Sequence, residues 1–172
     1  MAEALAKISQ VQDWGMIQIR ADLSRAGDAI AAAAGLALPE EGAISTDGSR
    51  TLGWMSPDEL LLVLPRAEAP EAVTALTEAL STEHALVLDV SDMRAAFRIQ
   101  GPKAQQVLAK LCPTDLTAMP ENGLRRTRAA QVACGIWREP GGYVLIGFRS
   151  VGDYLRGILT GAAAPGTHLE PR

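Results

Sequence analysis

Short apolar stretches that alternate with polar residues predict β-strands at several places in the chain. Residues 15–20 read GMIQIR and residues 95–100 read AAFRIQ, and both have the period of two that is typical of a half-buried strand. These two segments lie 80 positions apart. Residues 86–90, LVLDV, predict a further strand.

Four other segments carry apolar residues at the spacing of one buried helix face. Pro70 and Pro102 stand at the starts of two of them, where a first helical turn tolerates a residue without an N–H. Ser24 is the expected N-cap and Gly35 the expected terminator of the first helix, and the last helix is expected to end before Gly161. The helix positions are residues 24–34; Val73, Leu76 and Leu80; Ala104, Val107, Leu108 and Leu111; and Val151, Tyr154, Leu155, Ile158 and Leu159.

The chain also contains an internal repeat. Residues 54–63 read WMSPDELLLV, and residues 137–146, 83 positions further on, read WREPGGYVLI. Both copies have the form Trp-x-x-Pro-x-x followed by an apolar run, and each follows one of the two alternating strands at nearly the same offset. The shared order and spacing predict a duplication, in which residues 57–59 and 140–142 form hairpin turns.

These elements predict an α+β fold of two tandem βαββα-type halves, each similar to the split βαβ, ferredoxin-like motif. Residues 1–92 are expected to form the first half and residues 93–161 a second half packed on the first. Residues 38–50 and 113–126 are expected to be long loops, and residues 162–172 a flexible carboxy-terminal tail.

Composition narrows the class of protein. With 172 residues, 48% of them hydrophobic, the chain can build a core without disulfides or metals. The 16 basic residues do not outnumber the 20 acidic ones, and the run Arg125, Arg126 and Arg128 is too short for a phosphate-binding stripe, so we expect no nucleic-acid partner. We also expect no membrane span and no secretory signal, and therefore a cytoplasmic protein.

The usual signatures of catalytic and metal sites are missing. Two cysteines, Cys112 and Cys134, and two histidines, His84 and His168, are too dispersed to indicate a metal site, so we expect buried or half-buried thiols. The chain has no phosphate-binding loop, no Gly-x-Ser-x-Gly elbow and no His-Glu-x-x-His. We therefore predict no catalytic, cofactor-binding or metal-ligating residue in this chain.

Four polar residues have two interpretations each. Asp89 either hydrogen-bonds an amine-bearing ligand or, together with Ser91, closes a turn by bonding its own backbone, and we favour the turn. Arg94 and Arg98 either pair with a carboxylate or lie in solvent. Because Arg98 alternates with apolar residues, we favour a solvated strand face for it.

Five residues are candidates for contact with a partner protein. Trp54 and Trp137, equivalent in the repeat, are either interface anchors or the main core fillers of their halves. Arg125, Arg126 and Arg128 either meet an acidic patch on a neighbouring subunit or form an ordinary solvated surface, and we favour the surface.

The most distinctive stretch runs LDVSDM at 88–93, FRIQGPKA at 97–104, VLAKL at 107–111 and DL at 115–116. It resembles the Asp-Val-Ser-His-Met…Gly-Pro-x-Ala…Leu…Asp-Val signature of the folate-binding aminomethyltransferases, which include the T protein of the glycine cleavage system. The chain departs from these enzymes because Asp92 replaces their His and no Gly-Gly-x-x-Asp-Asp segment supplies a catalytic carboxylate. The Lys-x-Gly-Cys motif of the iron–sulfur-assembly relatives is also absent, because neither cysteine follows a glycine.

Over residues 14–159, including GIWR at 135–138 and FRS at 148–150, the sequence is similar to the gamma subunits of heterotetrameric sarcosine oxidases. The resemblance implies the folate-binding aminomethyltransferase fold. It also implies partner alpha, beta and delta subunits that hold FAD, FMN, NAD and tetrahydrofolate, with no cofactor in this chain. Such complexes oxidatively demethylate sarcosine to glycine, with hydrogen peroxide and either formaldehyde or methylenetetrahydrofolate as the other products.

The expected role is therefore that of a non-catalytic structural subunit, which is expected to self-associate when isolated. Two alternatives are a stand-alone tetrahydrofolate-dependent aminomethyltransferase-like enzyme and a folate-binding protein without turnover. Either would require a carboxylate placed for the pterin, which the sequence does not identify.

Overall fold

The computed structural model describes residues 3–169, which form two compact units. Residues 13–92 form one unit (the 13–92 unit). The other (the 93–169 unit) consists of residues 93–169 together with residues 3–12. In chain order the elements are β1 (Lys7–Val11), β2 (Trp14–Arg20), α1 (Leu23–Ala34), β3 (Ile44–Thr46), β4 (Thr51–Ser56), β5 (Glu59–Pro65), α2 (Ala69–Ala79), β6 (Leu86–Asp89), β7 (Arg94–Gln100), α3 (Ala104–Ala109), β8 (Leu124–Ala129), β9 (Val132–Glu139), β10 (Gly142–Phe148) and α4 (Gly152–Ala162).

Each unit contains one five-stranded antiparallel sheet, and the two strand orders match. The order is β3-β4-β5-β2-β6 in the 13–92 unit and β8-β9-β10-β7-β1 in the 93–169 unit. In both, a strand is followed by a helix, a hairpin and a second helix, namely β2–α1–β4–β5–α2 and β7–α3–β9–β10–α4. The α+β class and the duplicated βαββα plan predicted from the sequence are thereby confirmed.

The strand beside β7 comes from the amino-terminal part of the chain. β1 pairs with β7 from Lys7 opposite Gln100 to Val11 opposite Ala96. In the 13–92 unit the equivalent place beside β2 is taken by β6, which follows α2. Among residues 163–169 no strand follows α4, so β1 pairs with the outer edge of β7 in its place. Residues 3–12 therefore belong to the second half. The first half begins at residue 13 and not at residue 1, as the sequence had predicted.

Helix ends follow local hydrogen bonding. The N-cap of α1 is Asp22, whose Oδ1 accepts from the backbone N–H of Ser24 at 3.0 Å, so the expected Ser24 cap is wrong. Gly35 ends α1 as expected, with a left-handed φ of 71°. Pro70 lies in the first turn of α2, also as expected. The helix α4 runs through Gly161 to Ala162, two residues past its expected end.

In each unit the core lies between the sheet and the helices. The 13–92 core joins strand residues such as Ile17 and Leu62 to Ile30 of α1 and Leu76 of α2, all of them fully buried. The 93–169 core is built in the same way around Phe97, Ile99, Leu108, Ile136, Leu145 and Leu155. Burial of one such side chain stabilises a fold by about 1.5–3 kcal/mol.

Two segments expected to be irregular contain regular structure. β3 lies within residues 38–50, and β8 begins inside residues 113–126. The carboxy-terminal segment is tied to α3, because Lys110 Nζ donates to Thr167 O at 2.8 Å, to Thr167 Oγ1 at 2.9 Å and to Ala162 O. Residues 170–172 of the expected tail lie outside the described residues.

Candidate functional site

The two repeated tryptophans occupy matching hairpins but opposite faces of their sheets. In β4 a bulge at Met55 shifts the register, so Trp54 pairs with Leu60 and packs half-buried against the helix-side core. In the unbulged second hairpin Trp137 pairs with Val144, on the face away from the helices, and is only 4% exposed. Because strand side chains alternate between faces, one extra residue is enough to invert the tryptophan. Trp54 is therefore a helix-side filler with some exposed surface, whereas Trp137 is buried.

The three arginines of the candidate partner surface lie on an edge strand and not in a loop. Arg125, Arg126 and Arg128 are all exposed on β8, the last strand of its sheet. Strand alternation places Arg125 on one face and Arg126 and Arg128 on the other. Charged residues on an edge strand discourage unwanted pairing with other strands. The three arginines therefore either protect this edge or contact an acidic patch on a partner subunit.

Asp89 and Ser91 form the turn that the sequence favoured. The backbone N–H of Ser91 donates to Asp89 Oδ1 at 2.9 Å, and the Ser91 hydroxyl donates to the same oxygen. The hydroxyl oxygen in turn accepts from the backbone N–H of Met16 at 2.9 Å. Both side chains are thus occupied in joining the end of β6 to β2, and the structural interpretation is confirmed.

Asp92, which stands where the folate enzymes have a histidine, is in an ion pair. Arg66 Nη2 donates to Asp92 Oδ1 at 2.8 Å, and the two side chains are 43% and 73% exposed. A carboxylate that is exposed and already paired with a cation is poorly suited to proton transfer at a buried substrate.

Arg94 and Arg98 also have partners within the chain. The Arg94 guanidinium lies 4.6 Å from the ring centroid of Phe148, a cation–π contact. Arg98 Nε donates to Glu139 Oε2 at 3.1 Å. The expectation that the Arg98 side chain lies in solvent is therefore wrong, because its guanidinium is held in a partly buried ion pair with Glu139.

Glu139 is the carboxylate that sequence reasoning missed. It lies at the end of β9, just before the Pro140–Gly141 turn, and its side chain is only 15% exposed. Its Oε2 is bound by Arg98, and its Oε1 is buried without a hydrogen-bond partner. The signal in the sequence was a single acidic residue beside a hairpin proline, which is usually a solvent-exposed position.

Cys112 and Cys134 are free and buried in the same core, as expected for structural thiols. Interaction with the Cys112 thiol raises the pKa of Cys134, and burial raises it further. Residues 3–169 contain no group of three or more His, Cys, Asp or Glu side chains arranged to hold a metal ion.

A groove of about 860 Å³ lies on the surface of the 13–92 unit. Its polar part includes the ion pair between Arg20 Nη2 and Asp58 Oδ2, at 2.6 Å, and its apolar part includes Pro57 and Leu86. The hydrogen bond from Arg20 holds the pKa of the Asp58 carboxyl below its ordinary value. Because Arg20 and Asp58 neutralise each other, neither offers an unpaired charge to a ligand in this groove.

None of the helices in the part of the chain that the structure describes is long and apolar enough to cross a lipid bilayer.

Comparison with known proteins gives consistent matches. The GCVT N-terminal domain family matches residues 30–144. The chain is 36% identical to the sarcosine oxidase subunit gamma of Corynebacterium sp. (strain P-1), over 68% of this chain and 60% of that protein. It is also 36% identical to the sarcosine oxidase subunit gamma of an Arthrobacter species, over 84% of this chain and 78% of that protein. The match therefore spans less than two thirds of the Corynebacterium relative.

Solved structures match over nearly the whole chain. A chain of the heterotetrameric sarcosine oxidase from Corynebacterium sp. U-96 superposes with a TM-score of 0.87 at 28% identity, covering 97% of this chain and 88% of that one. The glycine cleavage system aminomethyltransferase T from Bartonella henselae superposes with a TM-score of 0.70 at 16% identity, covering 93% of this chain and 46% of that one. The second match shows a shared fold alone.

Proposed function

Because the chain belongs to the family of sarcosine oxidase gamma subunits, with its GCVT N-terminal domain, we propose that it is a non-catalytic structural subunit of a heterotetrameric, flavin-dependent sarcosine oxidase. The complex oxidatively demethylates sarcosine to glycine. It releases hydrogen peroxide and yields formaldehyde, or methylenetetrahydrofolate when tetrahydrofolate is present.

One observation supports the proposal that this subunit is non-catalytic. The carboxylates at and around the positions where the related folate enzymes do their chemistry are engaged by this chain's own groups. Asp89 is bonded by Ser91, Asp92 by Arg66 and Glu139 by Arg98. A general acid or base must be within hydrogen-bonding reach of a substrate proton, whereas Asp89, Asp92 and the Oε2 atom of Glu139 are bonded to internal partners.

The partners in this proposal are the alpha, beta and delta subunits, which hold FAD, FMN, NAD and tetrahydrofolate. A chain of 172 residues without a Gly-x-Gly-x-x-Gly turn from strand to helix has no dinucleotide site of the usual kind. We place the complex in the cytoplasm, because free thiols such as those of Cys112 and Cys134 stay reduced in a compartment of low redox potential.

Surface features support a role in assembly. Leu86 and Leu88 on the edge strand β6 are 47% and 43% exposed, although most edge strands are protected by charge or by a cover. By contrast, β8, an edge strand of the other sheet, is protected by charge, because it has three exposed arginines. Apolar side chains on an unprotected edge are suited to burial against another subunit.

The experiment is to purify the tagged chain from its native host. We expect it to retrieve yellow, flavin-containing partners in equal stoichiometry. Recovery of the tagged chain alone, under conditions in which sarcosine oxidation is expressed, would overturn the proposal.

A folate-dependent function is the second candidate, favoured by the fold shared with aminomethyltransferase T and by the partly buried Glu139. Titration of the isolated chain with tetrahydrofolate distinguishes the two. Saturable binding at micromolar concentration without turnover supports a folate-binding protein, and formation of methylenetetrahydrofolate from an aminomethyl donor supports an enzyme. The structural-subunit proposal expects neither.

A further inference from the structure

The edge strand β8 presents three arginines on an ordered backbone. Arg125, Arg126 and Arg128 are exposed, whereas Leu124 and Ala129 at the two ends of the strand are buried. Each residue of the strand pairs with one of β9. The buried ends and the pairing with β9 therefore fix the position of the strand, and the three cations extend from it into solvent.

Two of these arginines have no carboxylate partner among the described residues. Within residues 3–169, neither Arg125 nor Arg128 forms an ion pair, although other arginines of the chain pair with Asp or Glu side chains. These paired arginines are Arg20, Arg25, Arg50, Arg66, Arg98 and Arg156. Because the chain has 20 acidic and 16 basic residues, carboxylates are not scarce. The charge on β8 is therefore available to an external group.

The position of β8 in the fold does not by itself require this charge. β8 and β3 are equivalent, because each is the last strand of its sheet and lies beside the first strand of a repeated hairpin. β3 reads IST and has no charged side chain, and its three residues offer only a short edge. β8 has six residues and reads LRRTRA. Its edge is long enough to accept another strand, provided that this strand tolerates the charge.

The outer edge of β8 also offers backbone hydrogen-bonding groups. β8 is the terminal strand of the order β1-β7-β10-β9-β8, and β9 pairs with its inner edge. In an antiparallel sheet the N–H and C=O groups of alternate residues point to opposite edges. Those on the outer edge of β8 therefore have no partner among the strands that the structure describes. An extended peptide that adds a strand there gains main-chain hydrogen bonds.

We propose that the outer edge of β8 binds an extended acidic segment of a partner subunit as an added antiparallel strand. The strand pairs of both sheets are antiparallel, which assigns the direction. In its own chain order, the added strand then meets Arg128, Arg126 and Arg125 with its first, third and fourth residues. The matching pattern is Glu-x-Glu-Glu, with Asp equivalent to Glu, because opposite charges in cross-strand pairs stabilise a sheet.

The same features argue against two other occupants. A second copy that paired through its own β8 would bring arginines opposite each other, and like charges directly opposite are destabilising. A nucleic acid has no peptide groups with which to continue the sheet, and a chain of net charge −4 repels a polyphosphate outside this short run. An acidic peptide satisfies both the charge and the open edge.

The first test measures the binding of synthetic peptides to the purified full chain by fluorescence anisotropy at low ionic strength. The peptide TVEVEEVT places its glutamates opposite Arg128, Arg126 and Arg125, and the reversed peptide TVEEVEVT has the same composition and charge in the wrong order. We expect TVEVEEVT to bind at least about fivefold more tightly. We also expect it to slow the hydrogen exchange of residues 124–129. Equal or reversed preference, or unchanged exchange, would overturn the proposal.

Matched variants separate this edge from general charge. The double variant Arg125→Gln, Arg128→Gln is expected to bind TVEVEEVT at least about fivefold more weakly. The control Arg25→Gln, Arg156→Gln removes the same charge from α1 and α4 and is expected to leave binding unchanged. Equal weakening in the two double variants would contradict the assignment to β8. Circular dichroism checks that every variant is folded.

A charge exchange tests the register. Arg128→Glu is expected to bind TVEVEEVT weakly and to bind TVKVEEVT, in which lysine faces the new glutamate, more tightly. If Arg128→Glu shows no preference for TVKVEEVT, the register is wrong. Binding of single-stranded DNA more tightly than TVEVEEVT, with loss of that binding in the Arg125→Gln, Arg128→Gln variant, would also overturn the proposal.

The assembled complex gives the second test, because the source of the acidic segment rests on the proposed function. In a tagged purification we expect Arg125→Gln, Arg128→Gln to recover about tenfold less of the partner subunits than the control variant. If the wild-type chain retrieves no flavin partner while the peptides are still discriminated, the proposed function fails and the acidic-strand site stands. If the wild type and the β8 variant retrieve the flavin partners equally, this inference fails and the proposed function stands.

Discussion

At the scale of single residues, side chains within the aminomethyltransferase-like motif are hydrogen-bonded within the chain. Ser91 illustrates this, because its hydroxyl donates to Asp89 and accepts from the N–H of Met16. The sequence was sufficient to predict this turn, since Asp-x-Ser after a strand has a strong local preference for it. It was not sufficient to predict the ion pairs of Asp92 and Glu139, whose arginine partners are 26 and 41 positions away.

Replacement of Ser91 by alanine tests the structural reading of that residue. The buried N–H of Met16 would lose its acceptor, so we expect the free energy of unfolding to fall by about 1–3 kcal/mol. Urea denaturation followed by tryptophan fluorescence measures this change. Ser81→Ala, at an exposed position after α2, is the control and should change stability by less than about 0.5 kcal/mol. Equal effects of the two substitutions would contradict the role given to Ser91.

At the scale of elements, the repeat predicted the two hairpins and their helices, but three strands were not predicted from the sequence. β1 reads KISQV, β3 has only three residues, and β8 reads LRRTRA. All three are edge strands with polar or short sequences, and their pairing partners are set by tertiary structure and not by local pattern. The bulge at Met55 was equally hidden, because the two hairpin sequences align without a gap.

Two adjacent glycines of the second hairpin provide a matched test of its geometry. A Cβ on Gly142 would lie 2.0 Å from Ile99 O, whereas a Cβ on Gly141 would have no atom within 4 Å and would only be strained by a φ of 82°. We therefore expect Gly142→Ala to cost more than about 3 kcal/mol and Gly141→Ala about 1 kcal/mol. Thermal unfolding of the two variants measures the difference, and a reversed order would contradict the register of β7 and β10.

At the scale of the whole molecule, the two units contain five-stranded sheets with the same strand order. The sequence predicted the duplication, but it gave no sign that β1 would complete the sheet of the second half.

The exposed leucines of β6 should matter for assembly more than for folding. We expect Leu88→Asp to reduce recovery of the partner subunits at least tenfold in a tagged purification, with little change in melting temperature. Leu38→Asp, at a residue that is 37% exposed elsewhere on the same unit, is the control and should leave recovery unchanged. Equal recovery with both variants would remove β6 from the assembly surface.

We propose that this chain contributes structure and no reacting group to the complex, and replacement of its two ion-paired carboxylates is the sharpest test of that role. The double variant Asp92→Asn, Glu139→Gln is assembled into the complete complex, and the rate of sarcosine-dependent peroxide formation is measured per flavin. We expect the wild-type rate to within about a factor of two. A fall of a hundredfold or more in a complex that remains fully assembled would show that one of these carboxylates takes part in the chemistry and would contradict the account.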